Sequence, residues 1–193
     1  MKKNGFTLIE LVVVIVILGI LAVVAAPKFM NLQVDAKDAS LKGLKGAIES
    51  TLDVTYAKLA TLGLENAAMV QMVGSPDPSR GLVISDKLSA LGCKGNGACV
   101  FEYGYPSNYA PTLALLVNGI SDNSAAPSDD FVAVSIKGDP QQSLAITFKN
   151  NVKDYKGDDG KAHQELKTDR CYIKYPRPSR ESNKPILTII PCE

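Results

Sequence analysis

The first 26 residues, MKKNGFTLIELVVVIVILGILAVVAA, constrain this chain more than any other stretch. Met1 to Gly5 is a short leader with two positive charges, Lys2 and Lys3. Leu11 to Ala26 is an unbroken run of Leu, Val, Ile, Ala and one Gly, with Glu10 at its edge. As a helix, Phe6 to Ala26 is about 21 residues and roughly 30 Å long, which matches a bilayer core. An acid at a helix centre in a membrane costs roughly 3 kcal/mol, less toward the ends, so Glu10 calls for a partner. A cut after Gly5 would supply one. The new amine of Phe6 is a cation four residues from Glu10, and on one copy it can neutralise Glu10 on the next. The stretch reads as a membrane anchor that doubles as an assembly device.

Two plainer readings explain less. A secretory signal shares the basic start and apolar middle, and Val24 and Ala26 resemble a small-residue cleavage site. Pro27 would then follow the cut directly, the run is long for a signal, and Glu10 is out of place. An ordinary anchor accounts for neither Glu10 nor Gly5-Phe6.

Gly5-Phe6-Thr7-Leu8-Ile9-Glu10 resembles the class III leader of type IV pilins and pseudopilins. Through Ala25-Ala26-Pro27-Lys28-Phe29 the chain is most similar to major pilins of the mannose-sensitive haemagglutinin kind. The resemblance implies that a prepilin peptidase cuts after Gly5 and methylates Phe6. It also implies that Phe6 and Glu10 make the assembly contact, on an inner-membrane platform. The product would be a homopolymeric filament on a Gram-negative cell surface, its receptor (a surface or a glycan) left open. The resulting layout is a leader over 1–5, a transmembrane and assembly half-helix over 6–26, and a soluble pilin domain over 27–193.

Beyond the anchor, about 165 residues suffice for one domain with a real core. With 21 basic and 20 acidic residues there is no strong field for nucleic acid or anionic lipid. Pro27 lacks an amide hydrogen and frees the carbonyl of Val23, so a kink or local melting is expected there. Leu41, Leu44, Ile48, Leu52, Thr55, Leu59 and Leu62 recur at spacings of three and four, one apolar stripe on an amphipathic helix. Gly63 is a natural stop. Phe6 to Leu62 then forms one helix of about 57 residues, roughly 85 Å long, whose first half must find lipid or other subunits. Gly43 and Gly46 each weaken it by up to about 1 kcal/mol relative to Ala; they would permit close packing or stretch, or fit beneath a sheet, and the second reading is preferred.

Leu64 to Val73 reads as a short helix and 75–81 as a loop. Val100 to Tyr105 reads as one strand, and Pro111 to Val117 as a short helix opened by Pro or a buried strand, the helix being preferred. Phe131–Ile136 and Leu144–Phe148 flank a turn signal at 138–142, and Cys171–Tyr175 and Ile186–Ile190 flank a polar loop. About four antiparallel strands packed on the helix stripe give an α+β class, which is also the fold the resemblance implies.

Catalytic readings find little support, and no cofactor is expected. His163 is the single His, in a hydrophilic segment that reads as a surface loop. Gly95-Asn-Gly97 lacks the Lys and Ser/Thr of a phosphate loop. Asp154, Asp158 and Asp159 surround two glycines, but their spacing reads as a charged turn rather than a calcium loop. Four Cys in an exported chain read as two disulfides, and they lack the CxxC knuckle of a zinc site. Of three connectivities, the sequential one, Cys93–Cys99 with Cys171–Cys192, is adopted. Cys171 and Cys192 bracket the terminal hairpin in a loop of about 20 residues, and their pairing also resembles the C-terminal loop of type IV pilins.

The leading function is therefore a structural one, a major subunit of a type IV pilus that attaches cells to surfaces. A type II secretion pseudopilin is the alternative, disfavoured by the C-terminal disulfide loop. A DNA-binding minor pilin has only a mild basic excess behind it: seven Lys or Arg against four Asp or Glu from Lys161 onward.

Overall fold

A 55-residue helix, α1 (Leu8–Leu62), runs out of a small domain built on its C-terminal half. The computed structural model describes residues 7–74, 77–95, 99–122, 129–156, 162–181 and 184–192. The helix begins two residues later than expected, and Phe6 lies outside the described residues. Thr7 is the N-cap and Glu10 completes a capping box, so the sequence signal for the start is local and polar. The helix ends at Gly63 in the left-handed conformation, φ 69°. There the Gly63 amide donates to Ala60 and the Leu64 amide to Leu59, which satisfies two carbonyls of the last turn. Position 27 stays helical, so the chain does not melt at Pro27.

The apolar stripe is the spine of the domain. Leu41, Ile48, Leu52 and Leu59 are fully buried, and Thr55 is nearly so. Each such leucine contributes about 2 kcal/mol of transfer free energy. Leu41 to Leu52 pack against Ala133, Ile146, Ile173 and Tyr175 of a five-stranded sheet. Leu59 packs in a second cluster with Val70, Leu88 and Phe101, which also contains both Cys93 and Cys99.

The five-stranded sheet has the order β11-β10-β7-β6-β5, with β5 (Ile120–Ser121), β6 (Phe131–Ser135), β7 (Leu144–Phe148), β10 (Tyr172–Tyr175) and β11 (Thr188–Ile190). Its four expected strands are antiparallel, Ile146 pairing with Ala133 on one side and Ile173 on the other. The fifth, β5, is parallel to β6. It follows α2 (Ala110–Leu116), the helix expected after Pro111.

Three expectations are corrected. Leu64 to Val73 is not helical: it contains β1 (Met69–Gln71), parallel to β2 (Leu82–Ile84) and antiparallel to β3 (Val100–Glu102). The segment to Tyr105 is two strands, because β4 (Tyr105–Pro106) turns back on β3 across Tyr103 and Gly104. The hydrophilic stretch around His163 is not a loop throughout. It holds β8 (Val152–Lys156) paired with β9 (Ala162–Leu166), and this hairpin lays Val152 and Leu166 against Val132, Val134 and Ala145 on the outer face of the large sheet.

Candidate assembly surface and its support

The N-terminal half of α1 is the exposed feature that the fold leaves uncovered. Leu8–Ala25 is apolar and long enough to cross a membrane, and none of that span is buried. Beyond it, Phe29 and Leu32 are also exposed. Glu10 sits in the third position of the helix. Its carboxylate accepts from the Thr7 amide at 2.8 Å and the Thr7 hydroxyl at 2.6 Å, and its own amide donates to that hydroxyl at 3.4 Å. A carboxylate at this end of a helix is favoured by the unpaired amides of the first turn. Gly5 and Phe6, the expected cleavage and methylation residues, lie outside the described residues.

The domain end of the molecule is closed covalently. Cys93 joins Cys99 within the second core cluster, and Cys171 joins Cys192 across the base of the β10–β11 hairpin. Cys171 adopts a left-handed backbone, φ 63°, unusual for a residue with a Cβ. It is held by its own amide donating to Pro191 at 2.8 Å and its carbonyl accepting from the Thr147 hydroxyl at 2.6 Å.

Sequence reasoning missed the contacts that fasten this hairpin. The Cys192 amide donates to the Asp38 carboxylate at 3.0 Å, and Lys184 pairs with Asp53, so two carboxylates of α1 hold the disulfide-closed segment. The Asp53 carboxylate holds the Lys184 ammonium above its ordinary pKa. Between the two sheets lies a cleft of ≈ 920 Å³ whose lining includes Glu102, Gln142 and Arg177. Arg177 donates to both Glu102 oxygens, at 2.8 and 2.6 Å, and to Gln142 at 3.0 Å. Glu102 is buried, and its hydrogen bonds, with its charge, hold the Arg177 guanidinium above its ordinary pKa. The two charges satisfy each other, which fits a brace between sheets. Nothing local marks these pairs, whose members stand 35 to 154 residues apart.

Asp154 lies in β8 and accepts from Gln164 at 3.0 Å, while Asp158 and Asp159 lie outside the described residues. Among the described residues, no group of three or more His, Cys, Asp or Glu is placed to hold a metal. His163 stacks on Tyr155 with ring centroids 5.6 Å apart.

Residues 1–26 match the model of the prokaryotic N-terminal methylation motif. The chain carries that motif. It is 28% identical over half its length to the type IV narrow pilus major component PilA5 of Thermus thermophilus, of which it covers 83%. It is 35% identical over 46% of its length to the type IV major fimbrial protein FimA of Dichelobacter nodosus, covering 64% of that protein. It is 42% identical over 40% of its length to the type II secretion system core protein G of Pseudomonas aeruginosa, covering 57%. The chain thus spans less than two thirds of the last two. No solved structure matches it. Motif and relatives support the type IV pilin family, and the long apolar helix followed by an antiparallel sheet fits its α+β fold.

Proposed function

We propose that this chain is the structural major subunit of a type IV pilus of the mannose-sensitive haemagglutinin kind, polymerising through α1 for surface attachment. The observation that carries the reading is the span Leu8–Ala25, wholly uncovered and continuous in one helix with a disulfide-closed domain. A filament core is the second environment, after the membrane, that can cover such a helix. In this reading the role is non-enzymatic, in keeping with the major pilus and fimbrial components among its relatives. A prepilin peptidase removes residues 1–5 and methylates Phe6, and an inner-membrane platform draws the subunit into a filament on a Gram-negative surface. The Phe6 amine of an incoming copy meets Glu10 of its neighbour, and Pro27 permits a bend at the membrane boundary. The similarity to the secretion core protein favours a second reading, a type II secretion pseudopilin whose filament stays short.

Intact mass of the exported protein, with electron microscopy of the cell surface, tests both. A chain that starts at methylated Phe6 and builds long shed filaments is the expected result. The same mature chain without surface filaments selects the pseudopilin. A start at Met1 or Pro27 sinks either one.

A further inference from the structure

Gly43 and Gly46 do not fit beneath the sheet as expected. A Cβ built on either meets nothing within 4 Å, so the fold of one copy gives no reason for two glycines in a helix interior. Gly43 forms part of an open groove of ≈ 550 Å³ between α1 and the end of the β6–β7 hairpin. Ser40, Gly43, Leu44 and Ala47 form one wall; the other holds Phe131 and Phe148, whose ring centroids are 4.9 Å apart. Asp130 and Lys149 stand on the rim, 3.4 Å apart and both well exposed.

The same helix carries an apolar projection without a cover. Phe29 is 66% exposed and Leu32 59%, and both lie beyond the membrane-length span that ends at Ala25. Lys28 and Asp35, one turn either side of Leu32, are exposed too. The projection cannot reach the groove of its own copy, because Phe29 and Leu44 lie about 22 Å apart along one rigid helix. Lipid is a poor occupant as well, since the groove stands roughly 27 Å along the helix past the end of the span.

We propose that the groove receives the Phe29–Leu32 turn of a second copy, with the two α1 helices parallel and offset by about 15 residues, or roughly 22 Å. Phe29 then lies against Leu44 and the aromatic pair, and Leu32 against Ala47, where the absent side chain of Gly43 leaves room for the approach. Lys28 and Asp35 meet a rim that carries one charge of each sign, Asp130 and Lys149. Projection and groove occupy different parts of one surface, so the contact is heterologous: each copy that fills a groove presents another, and the array does not close. The filament reading supplies the setting, while the contact itself rests on residues 28–47, 130–131 and 148–149.

The test is oxidative cross-linking of the full-length protein carrying Leu32→Cys with Ala47→Cys, in cell membranes and in any filaments shed. Leu32→Cys with Ala57→Cys, whose offset is about 10 residues longer, is the control. Non-reducing peptide mapping first establishes that the four native cysteines keep their pairing. A ladder of dimers and larger species from the first pair alone is the expected result, lost when Gly43→Phe fills the groove. Equal ladders from both pairs, or filaments without a ladder from the first, overturn the proposal. A specific ladder without wild-type filaments upholds the contact and removes the filament reading. Absence of both removes the two together. A ladder abolished by purification away from another protein assigns the groove to that partner and overturns the proposal.

Discussion

In the single subunit the Glu10 carboxylate already accepts two hydrogen bonds from Thr7, so any contact with a neighbour competes with a helix cap. Glu10→Val removes the reciprocal half of the capping box, at a loss of up to about 1 kcal/mol to the first turn, and also removes a charge from the apolar span. Membrane insertion should be preserved and filament number should collapse, as fractionation and electron microscopy will read. Glu10→Gln separates the two roles, because an amide still caps the helix but carries no charge. Filaments from the Gln variant would assign the function to capping; their loss assigns it to charge. A second residue-scale prediction concerns Asp139. The Lys174 ammonium at 2.8 Å, helped by the Ser143 amide, holds its pKa at about 2, below its ordinary 3.8. The folded-state value is the lower one, so this pair stabilises the domain above about pH 3.8, and that contribution is lost as pH falls toward 2. Thermal unfolding followed between about pH 5 and 2 should therefore decline more steeply for the wild type than for Lys174→Met. Parallel curves would show that the pair contributes nothing.

Among the elements, two glycines that look alike in the sequence should respond oppositely to Ala. Gly104 has φ 83°, and a Cβ there would sit 2.6 Å from the Tyr56 ring and 3.0 Å from the Glu65 carbonyl. Gly104→Ala should lower stability by about 2–3 kcal/mol in urea unfolding. Gly46→Ala, in open space on a helix, should raise it by up to about 1 kcal/mol. A stabilised Gly104→Ala would mean that the β3–β4 turn is not held against Tyr56. The elements legible in the sequence share one property: their burial repeats. The stripe from Leu41 to Leu59 declares a helix, and Phe131–Ser135 and Leu144–Phe148 declare strands on either side of a turn. The strands that escaped are two or three residues long, such as β1, β2 and β5, or lack a regular apolar alternation, as in Val152–Lys156, where only Val152 is buried. Pairing with a distant strand decides those, and so does the Arg177–Glu102 fork. The candidate assembly surface was legible because an uninterrupted apolar run with an acid at its edge is a local signal; the groove beside Gly43 was not, because its far wall comes from residues 130–131 and 148–150, at the ends of β6 and β7.

For the whole molecule, the helix and the sheet are joined by packing and by two carboxylates of α1, while one disulfide closes the β10–β11 hairpin that those carboxylates hold. Replacing Cys171 and Cys192 by Ser frees a loop of about 20 residues and should lower stability by about 3 kcal/mol. Asp38→Ala, which removes one hydrogen bond to the same segment, should lower it by about 1 kcal/mol. Urea midpoints of the two variants decide this, and equal losses would mean that Asp38 rather than the cross-link holds the hairpin. The Asp38 contact also sets a clock. Its partner, Cys192, is 154 residues away, so at about 5–20 residues per second the ribosome releases the second half of the contact roughly 8–30 s after the first. During that interval the span Leu8–Ala25, long and apolar enough to cross a membrane, is already made, while the buried stripe of α1 still lacks Ile173 and Tyr175, which pack on it. On the filament reading each nascent chain thus waits, anchored but unfinished, and a chain interrupted late in synthesis would be left with its spine bare to proteases.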